Sequence, residues 1–279
     1  KDIEKFSVVG AIENKGKIPK ADLKAMFSNF SLEPFSPLGE GVIDRIRGDI
    51  DGSVAITGNV DNPIFNGVLS LDNAGIAVPY LNVDYDFGMR SKVLLADQTF
   101  NFQNIALTDV AKGTKANLDG TISHSYFKDW VLNLNVDTKN DRFLILNTDF
   151  KEGDLYYGTG YLNGTGRIYG PTTALNIKVN GQTAKGTSLK IPLSDVTSVG
   201  DYSFINFTEK NSISSMDQQR NLKDYQGVEL EFDLDITPEA EVEIVTDTKT
   251  GSSLKGTGVG IILLQINTNG KFEMYGDFV

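Results

Sequence analysis

The sequence predicts an all-β protein built on an extended, curved, antiparallel-rich sheet, and three observations carry that expectation. Apolar and polar residues alternate with a period of two through most of the chain, the repeat of a strand with one apolar and one wet face. Clusters of Asn, Asp, Gly and Pro punctuate the alternation at short intervals, as turns between strands do. The chain also holds 28 glycines. Many share the parity of the apolar residues, where loose repetition and close backbone approach favour an open sheet over a closed sandwich.

The clearest unit is 48–72, GDIDGSVAITGNVDNPIFNGVLSLD. Ile50, Gly52, Val54, Ile56 and Gly58 fill every second position, with Asp49, Asp51, Ser53 and Thr57 between them. Asn59 to Pro63 supplies the turn, and Phe65, Gly67, Leu69 and Leu71 resume the alternation, which makes a hairpin. Before it, Phe6, Val8, Gly10 and Ile12 alternate as a strand, while 21–35 suits helix and strand spacing equally. Ser36 and Pro37 then read as N-cap and first helical position of a short helix over 37–46, with Leu38, Val42 and Ile46 as its stripe and Gly48 beyond its end.

After the hairpin the strands follow at turn-separated intervals. They run through Val83-Tyr85-Phe87, Val93-Leu95, Phe100-Phe102, Leu118-Gly120-Ile122, Trp130-Leu132-Leu134-Val136, 143–146, 156–170, Leu175-Ile177-Val179 and Leu189-Ile191-Leu193. The segment 209–226, EKNSISSMDQQRNLKDYQ, is polar and aperiodic and reads as a mobile insertion. It divides the chain into β-groove repeats over 1–208 and C-terminal β-groove strands over 227–279. In the latter, Val228-Leu230-Phe232-Leu234-Ile236 alternates against Glu229, Glu231, Asp233 and Asp235. Val242-Ile244, Gly258-Gly260-Ile262-Leu264-Ile266 and Phe272-Met274-Gly276-Phe278 complete the series.

Composition narrows the function. A net charge of −11 argues against nucleic acid, which demands clustered Lys and Arg, and disfavours flat docking on anionic lipid headgroups. Without cysteine there is no disulfide, thiolate nucleophile or thiolate metal site. No run approaches the ~20 apolar residues of a membrane-spanning helix, and 1–12 alternates where a signal peptide would be an apolar block. The alternation is already under way at Lys1, so the chain reads as a portion of something longer.

No motif carries chemistry. Gly158, Gly160 and Gly164 suggest a dinucleotide loop, but strand alternation continues where the loop needs a helix. GAIENKGK at 10–17 has the wrong length and the wrong following residue for a phosphate loop, and 256–260 is strand. Asp84-x-Asp86-x-Gly88 and 149–154 match no EF-hand and read as wet strand faces and turns. His124, the single histidine, reads as a surface or turn residue. A glycosidase carboxylate pair finds no support, because most Asp and Glu lie on the polar parity. The chain reads as no enzyme, with no cofactor and no metal. From periodicity alone the apolar parity is the core of a plain β domain, such as a secreted adhesin.

The order G-x-I-x-G-x-V-x-I-x-G … D-N-P-x-F-x-G-x-L-x-L in 48–71 resembles the repeat of the TamB family, AsmA-like translocation and assembly proteins of the Gram-negative envelope. Two further stretches are similar to the same family: 146–193, with LNTD, DLYYGTGYLNGTGRIYGP and GTSLKIPL, and 228–276, with LEFDLDITPEAEVEI, GSSLKGTGVGIILLQI and GKFEMYG. The resemblance implies a β-taco fold, apolar inside, in a periplasmic bridge anchored in the inner membrane and carrying phospholipids to the outer membrane. It makes Val54, Ile56, Leu69, Leu71, Leu132, Leu134, Leu230, Phe232, Leu234, Ile262 and Leu264 the lining of a hydrophobic groove for acyl chains. It also implies an alternative role in outer-membrane protein assembly with a barrel partner of the TamA type.

Overall fold

The computed structural model describes residues 5–39, 43–151, 156–192, 228–247, 251–267 and 272–279. All eighteen strands belong to one sheet. The N-terminal rows are β1 (Phe6–Glu13), β2 (Lys20–Ser31), β3 (Asp44–Asn59) and β4 (Asn62–Val78), each antiparallel to the next. β4 is long enough to carry two successive strands on its far edge, β5 (Val83–Phe87) against 75–78 and β6 (Ser91–Ala96) against 66–71. Both then pair with β7 (Thr99–Asp109), followed by β8 (Lys115–Ser125) and β9 (Lys128–Asp137).

The same device recurs towards the C-terminus. β11 (Tyr157–Pro171) pairs on one edge with β9 and β10 (Phe143–Thr148), and on the other with β12 (Leu175–Thr183) and β13 (Ser188–Pro192). β14 (Val228–Ile236) and β15 (Glu241–Asp247) add in parallel to β12 and β13. β16 (Ser252–Thr257) returns along β15, β17 (Gly260–Asn267) along β14, and β18 (Phe272–Phe278) along β17.

Many of the rows are therefore long strands interrupted by a bulge or a short break. In β2, the four residues from Phe27 to Phe30 span the three from Gly52 to Ile50 on β3, and Asn29 turns the chain with φ 49°. The ladder of β4 is irregular near Asn73 (φ 49°), and that of β7 near Asn104 (φ 52°). Further on, the break falls in the segments 138–142, 184–187, 237–240 and 258–259. Short polar side chains satisfy the backbone that leaves the ladder. The Asn29 and Asn104 N–H groups donate to Asp51 and Asp119, and the Gly164 N–H to Thr138 Oγ1. The Tyr161 and Thr237 N–H groups donate to Thr187 Oγ1 and Thr183 Oγ1. This matters because a buried donor without a partner costs ~1–3 kcal/mol. These breaks fold the sheet into a first wall of β6, β9, β12, β14 and β17 and a second wall of β5, β10, β13, β15 and β16.

The described residues of the expected helix over 37–46 form no α-helix. A 3-10 segment spans Glu33–Gly39 and β3 is already strand from Asp44. Ser36 lies inside the 3-10 segment and its hydroxyl donates to the Ile46 carbonyl at 3.3 Å, so it caps no α-helix. Pro34 and Pro37 both set the φ that a 3-10 turn needs. The ambiguous 21–35 stretch is mostly strand, β2. Its bulge puts Phe27 and Phe30 on one face, a spacing of three that imitates a helix. The segment 209–226 lies outside the described residues.

Candidate functional site

The inner face of the folded sheet gathers the apolar parity of nearly every row. Ile56 opposes Phe65, Val54 opposes Gly67, Gly52 opposes Leu69 and Ile50 opposes Leu71, so the hairpin presents one apolar side. Leu132 and Leu134 oppose Ile122 and Gly120 of β8 on one edge, and Gly170 and Ile168 of β11 on the other. Leu230, Phe232 and Leu234 run beside Ile177, Val179 and Gly181, and across the next rung meet Ile266, Leu264 and Ile262. All eleven expected residues thus lie on this face.

They differ in how far they are covered. Val54, Leu69, Leu71, Leu132, Leu134, Leu230 and Phe232 are buried, whereas Ile56, Leu234, Ile262 and Leu264 remain partly exposed. One packed cluster joins Leu132, Leu134, Leu230 and Phe232 of the first wall to Val83, Tyr85, Phe143 and Leu144 of the second, with Leu107 and Leu118. Through the middle of the sheet the walls therefore meet, and Leu144 is 0% exposed. Towards the N-terminal edge the face opens, and Phe6, Val8 and Ile12 are each about half exposed. There Phe27, Phe65 and Phe100 pack around Val54 and Leu69, filling hollows that the inner-face glycines leave.

Polar groups on this face are few and mostly structural. Asp109, 1% exposed, accepts from the Ala111 and Lys112 N–H groups and from the Thr114 hydroxyl, and so ties the β7–β8 turn. Burial, with the Asp109 charge second, drives the Tyr85 phenol well above its ordinary pKa, and its hydroxyl donates to the Leu144 carbonyl. Asp84 and Asp86 are no calcium loop: both pair with Arg47, and Asp84 also with Arg45.

His124 departs from its expected surface position. It is 5% exposed, with its ring centroid within 6.5 Å of those of Phe65, Phe100, Phe127 and Trp130. Its Nδ1 accepts the Phe127 N–H at 3.0 Å, and burial holds its pKa below the ordinary value against the opposing charge of Asp97. Among the described residues no group of His, Asp and Glu is placed to hold a metal.

The described residues thus form one sheet with an apolar inner face, and comparison with known families places the chain. The profile described as "TamB C-terminal domain" matches residues 103–279, more than half of the chain. The chain belongs to the TamB family. TamB proteins form an envelope transport and assembly module associated with a TamA-type partner, and they are not an enzyme family. Neither the curated proteins nor the solved structures contain a match. The matched segment begins inside β7, so the 48–72 hairpin of this TamB protein lies outside it.

Reading the sequence missed the second wall of the TamB sheet. Tyr85, Phe143, Leu144 and Tyr161 all sit in the packed cluster. Phe143 with Leu144, and Tyr161 with Leu162, are adjacent pairs that are both buried. Strict period-two reading assigns one member of each pair to the outside. The signal that could have found them is a short polar residue in the nearby breaks: Thr138, between β9 and β10, and Thr187, between β12 and β13, whose Oγ1 accepts the Tyr161 N–H.

Proposed function

We propose that this TamB domain carries phospholipid acyl chains along its inner face, as part of a longer periplasmic protein that bridges the inner and outer membranes. The observation that supports this reading is the run of apolar side chains on one face through successive rows of a single sheet. At ~4.8 Å per row, some thirteen rows give a path of roughly 60 Å in the hydrogen-bonding direction. Each methylene kept from water is worth ~0.8 kcal/mol, so such a path removes most of the cost of taking acyl chains through an aqueous space. In this reading direction and energy come from other components.

The test is transfer of labelled phospholipid between two vesicle populations by the full chain, each variant assayed where circular dichroism shows it folded. Ile56→Asp and Leu264→Asp place a charge on partly exposed inner-face positions, and Asn133→Asp places one on the outer face. The first two should slow transfer at least fivefold and the third should not. Equal rates in all three would contradict the reading.

A second reading is favoured by one surface. The outer parity carries one apolar patch where β17 meets β18: Val259, Ile261 and Tyr275 are more than half exposed and, with Leu263, line a shallow depression of about 510 Å³. Asp233 and Asp235 border it on one side and Asp277 on the other. A TamA-type barrel partner with a basic rim fits this face, in a role in outer-membrane protein assembly. Photo-crosslinkers at Ile261 and Tyr275 should capture the barrel protein if this is the docking face, and a crosslinker at Glu231 should not.

A further inference from the structure

The second wall is not laddered throughout. β7 stops at Asp109 and β8 starts at Lys115, so neither extends the wall as far as its neighbours do. Across the gap they leave, β10 comes up against the β4–β5 turn at 79–82 and the β7–β8 turn. β10 is laddered to β11 on one edge, and among the described residues its other edge has no ladder. Isolated bonds close it instead. The Asn147 N–H donates to the Leu81 carbonyl (3.0 Å), and Asn82 Nδ2 donates to the Asn147 carbonyl (2.6 Å). The Leu144 N–H donates to Thr114 Oγ1 (2.9 Å), and the Tyr85 hydroxyl to the Leu144 carbonyl (2.9 Å). The Tyr80 and Tyr156 hydroxyls meet at 2.8 Å, and the Tyr85 and Phe143 rings stack at 4.9 Å.

Only one of these bonds is backbone to backbone. Among the described residues the other junctions between neighbouring rows are ladders whose bonds must break together, whereas a seam of separate side-chain bonds opens at much lower cost. Directly behind the seam lie Leu144, Phe143, Leu132 and Leu134, the sealed part of the apolar face. Partly exposed apolar residues lie on both sides of that sealed stretch, Ile56 before it and Ile262 and Leu264 after it.

We propose that this seam is a lateral gate: an acyl chain gains the sealed apolar interior when β10 parts from the β4–β5 turn. The proposal rests on the reading of the inner face as a lipid path and adds where that path opens. Asn82 suits the latch, since it holds φ 50°, where Asn is tolerated, and projects its amide to β10. The ligand class is a hydrocarbon chain with a polar head left outside, because the outermost bond of the seam, Asn82 to Asn147, is exposed while Phe143, Leu144, Leu132 and Leu134 behind it form an apolar cluster.

The chain has no cysteine, so an introduced pair has no competitor. Leu81→Cys with Asn147→Cys, oxidised, ties the turn to β10. Tyr80→Phe with Asn82→Gly removes two latch bonds and keeps the backbone conformation. Uptake of fluorescent-tailed phosphatidylethanolamine from phosphatidylethanolamine vesicles by the full chain, and hydrogen exchange at the Leu144 and Asn147 amides, are read on each. The oxidised pair should lose uptake at least tenfold and recover it on reduction, and the unlatched variant should take up lipid faster and exchange both amides faster. Uptake by the oxidised pair at the rate of its reduced form overturns the gate. If the pair does not fold or does not close, the unlatched variant decides, and unchanged exchange there overturns the gate. If no form takes up lipid, the lipid-path reading fails by itself. The gate then stands on exchange at Leu144 and Asn147 faster than global unfolding allows, and falls if both amides exchange only through global unfolding.

Discussion

At the scale of single residues, backbone proximity and aromatic enclosure decide what each position tolerates. Gly52 holds φ 143° with its α-carbon against the Val68 carbonyl of β4, so any Cβ there meets backbone. Gly52→Ala should cost about 1–3 kcal/mol from backbone strain alone, read as a lowered denaturant midpoint with unchanged slope. His124 offers a pH test. Its folded pKa lies below the unfolded value near 6.5, so the unfolded chain binds the proton more readily. The neutral ring's full contribution is present above that unfolded value and is lost as pH falls through the folded one. His124→Phe, which fits the same cage of rings, should therefore lose less stability than the native chain between pH 7.5 and pH 5. Parallel curves would show that the ring titrates alike in both states. The sequence suggests a surface or turn His124, and the burial it misses comes from rings on three other rows.

Elements follow the sequence closely where one parity runs unbroken. The 48–72 hairpin and β14 lie in the register that their alternation demands, with Ile50, Val54, Leu69, Leu71, Leu230 and Phe232 inside and the Asp and Glu between them outside. Legibility fails at the fold line, where a bulge or short break changes which parity faces in. Phe27 and Phe30, or Tyr161 and Leu162, then look helical or inconsistent, although each follows from one extra residue in the ladder. The polar side chains on that line carry a testable share of the fold. Thr187 Oγ1 accepts the Tyr161 N–H at 3.0 Å and donates to the Ala184 carbonyl at 2.7 Å. Thr187→Val keeps the shape and strands the buried Tyr161 amide, so it should cost ~1–3 kcal/mol. The exposed pair Lys178–Glu231, at 3.2 Å on the outer face, should by contrast be worth no more than ~1 kcal/mol in a double-mutant cycle.

On the scale of the whole molecule, one sheet folded along a polar line produces an apolar interior without a second layer. Alternation told the strands and their inner residues from the outer ones. It could not tell which walls touch, because that depends on where β7 and β8 stop. Leu134 and Ile56 share a parity and a chemistry, yet one is sealed by the opposite wall and the other is not. The direct test of lipid on the inner face is photo-crosslinking in cells at four positions of the full protein: Ile56 and Ile262 inside, Asp51 and Asn133 outside. Phospholipid captured at Ile56 and Ile262 and not at Asp51 or Asn133 is the predicted result. Capture of protein neighbours alone at the two inner positions, or equal lipid capture at all four, would contradict it.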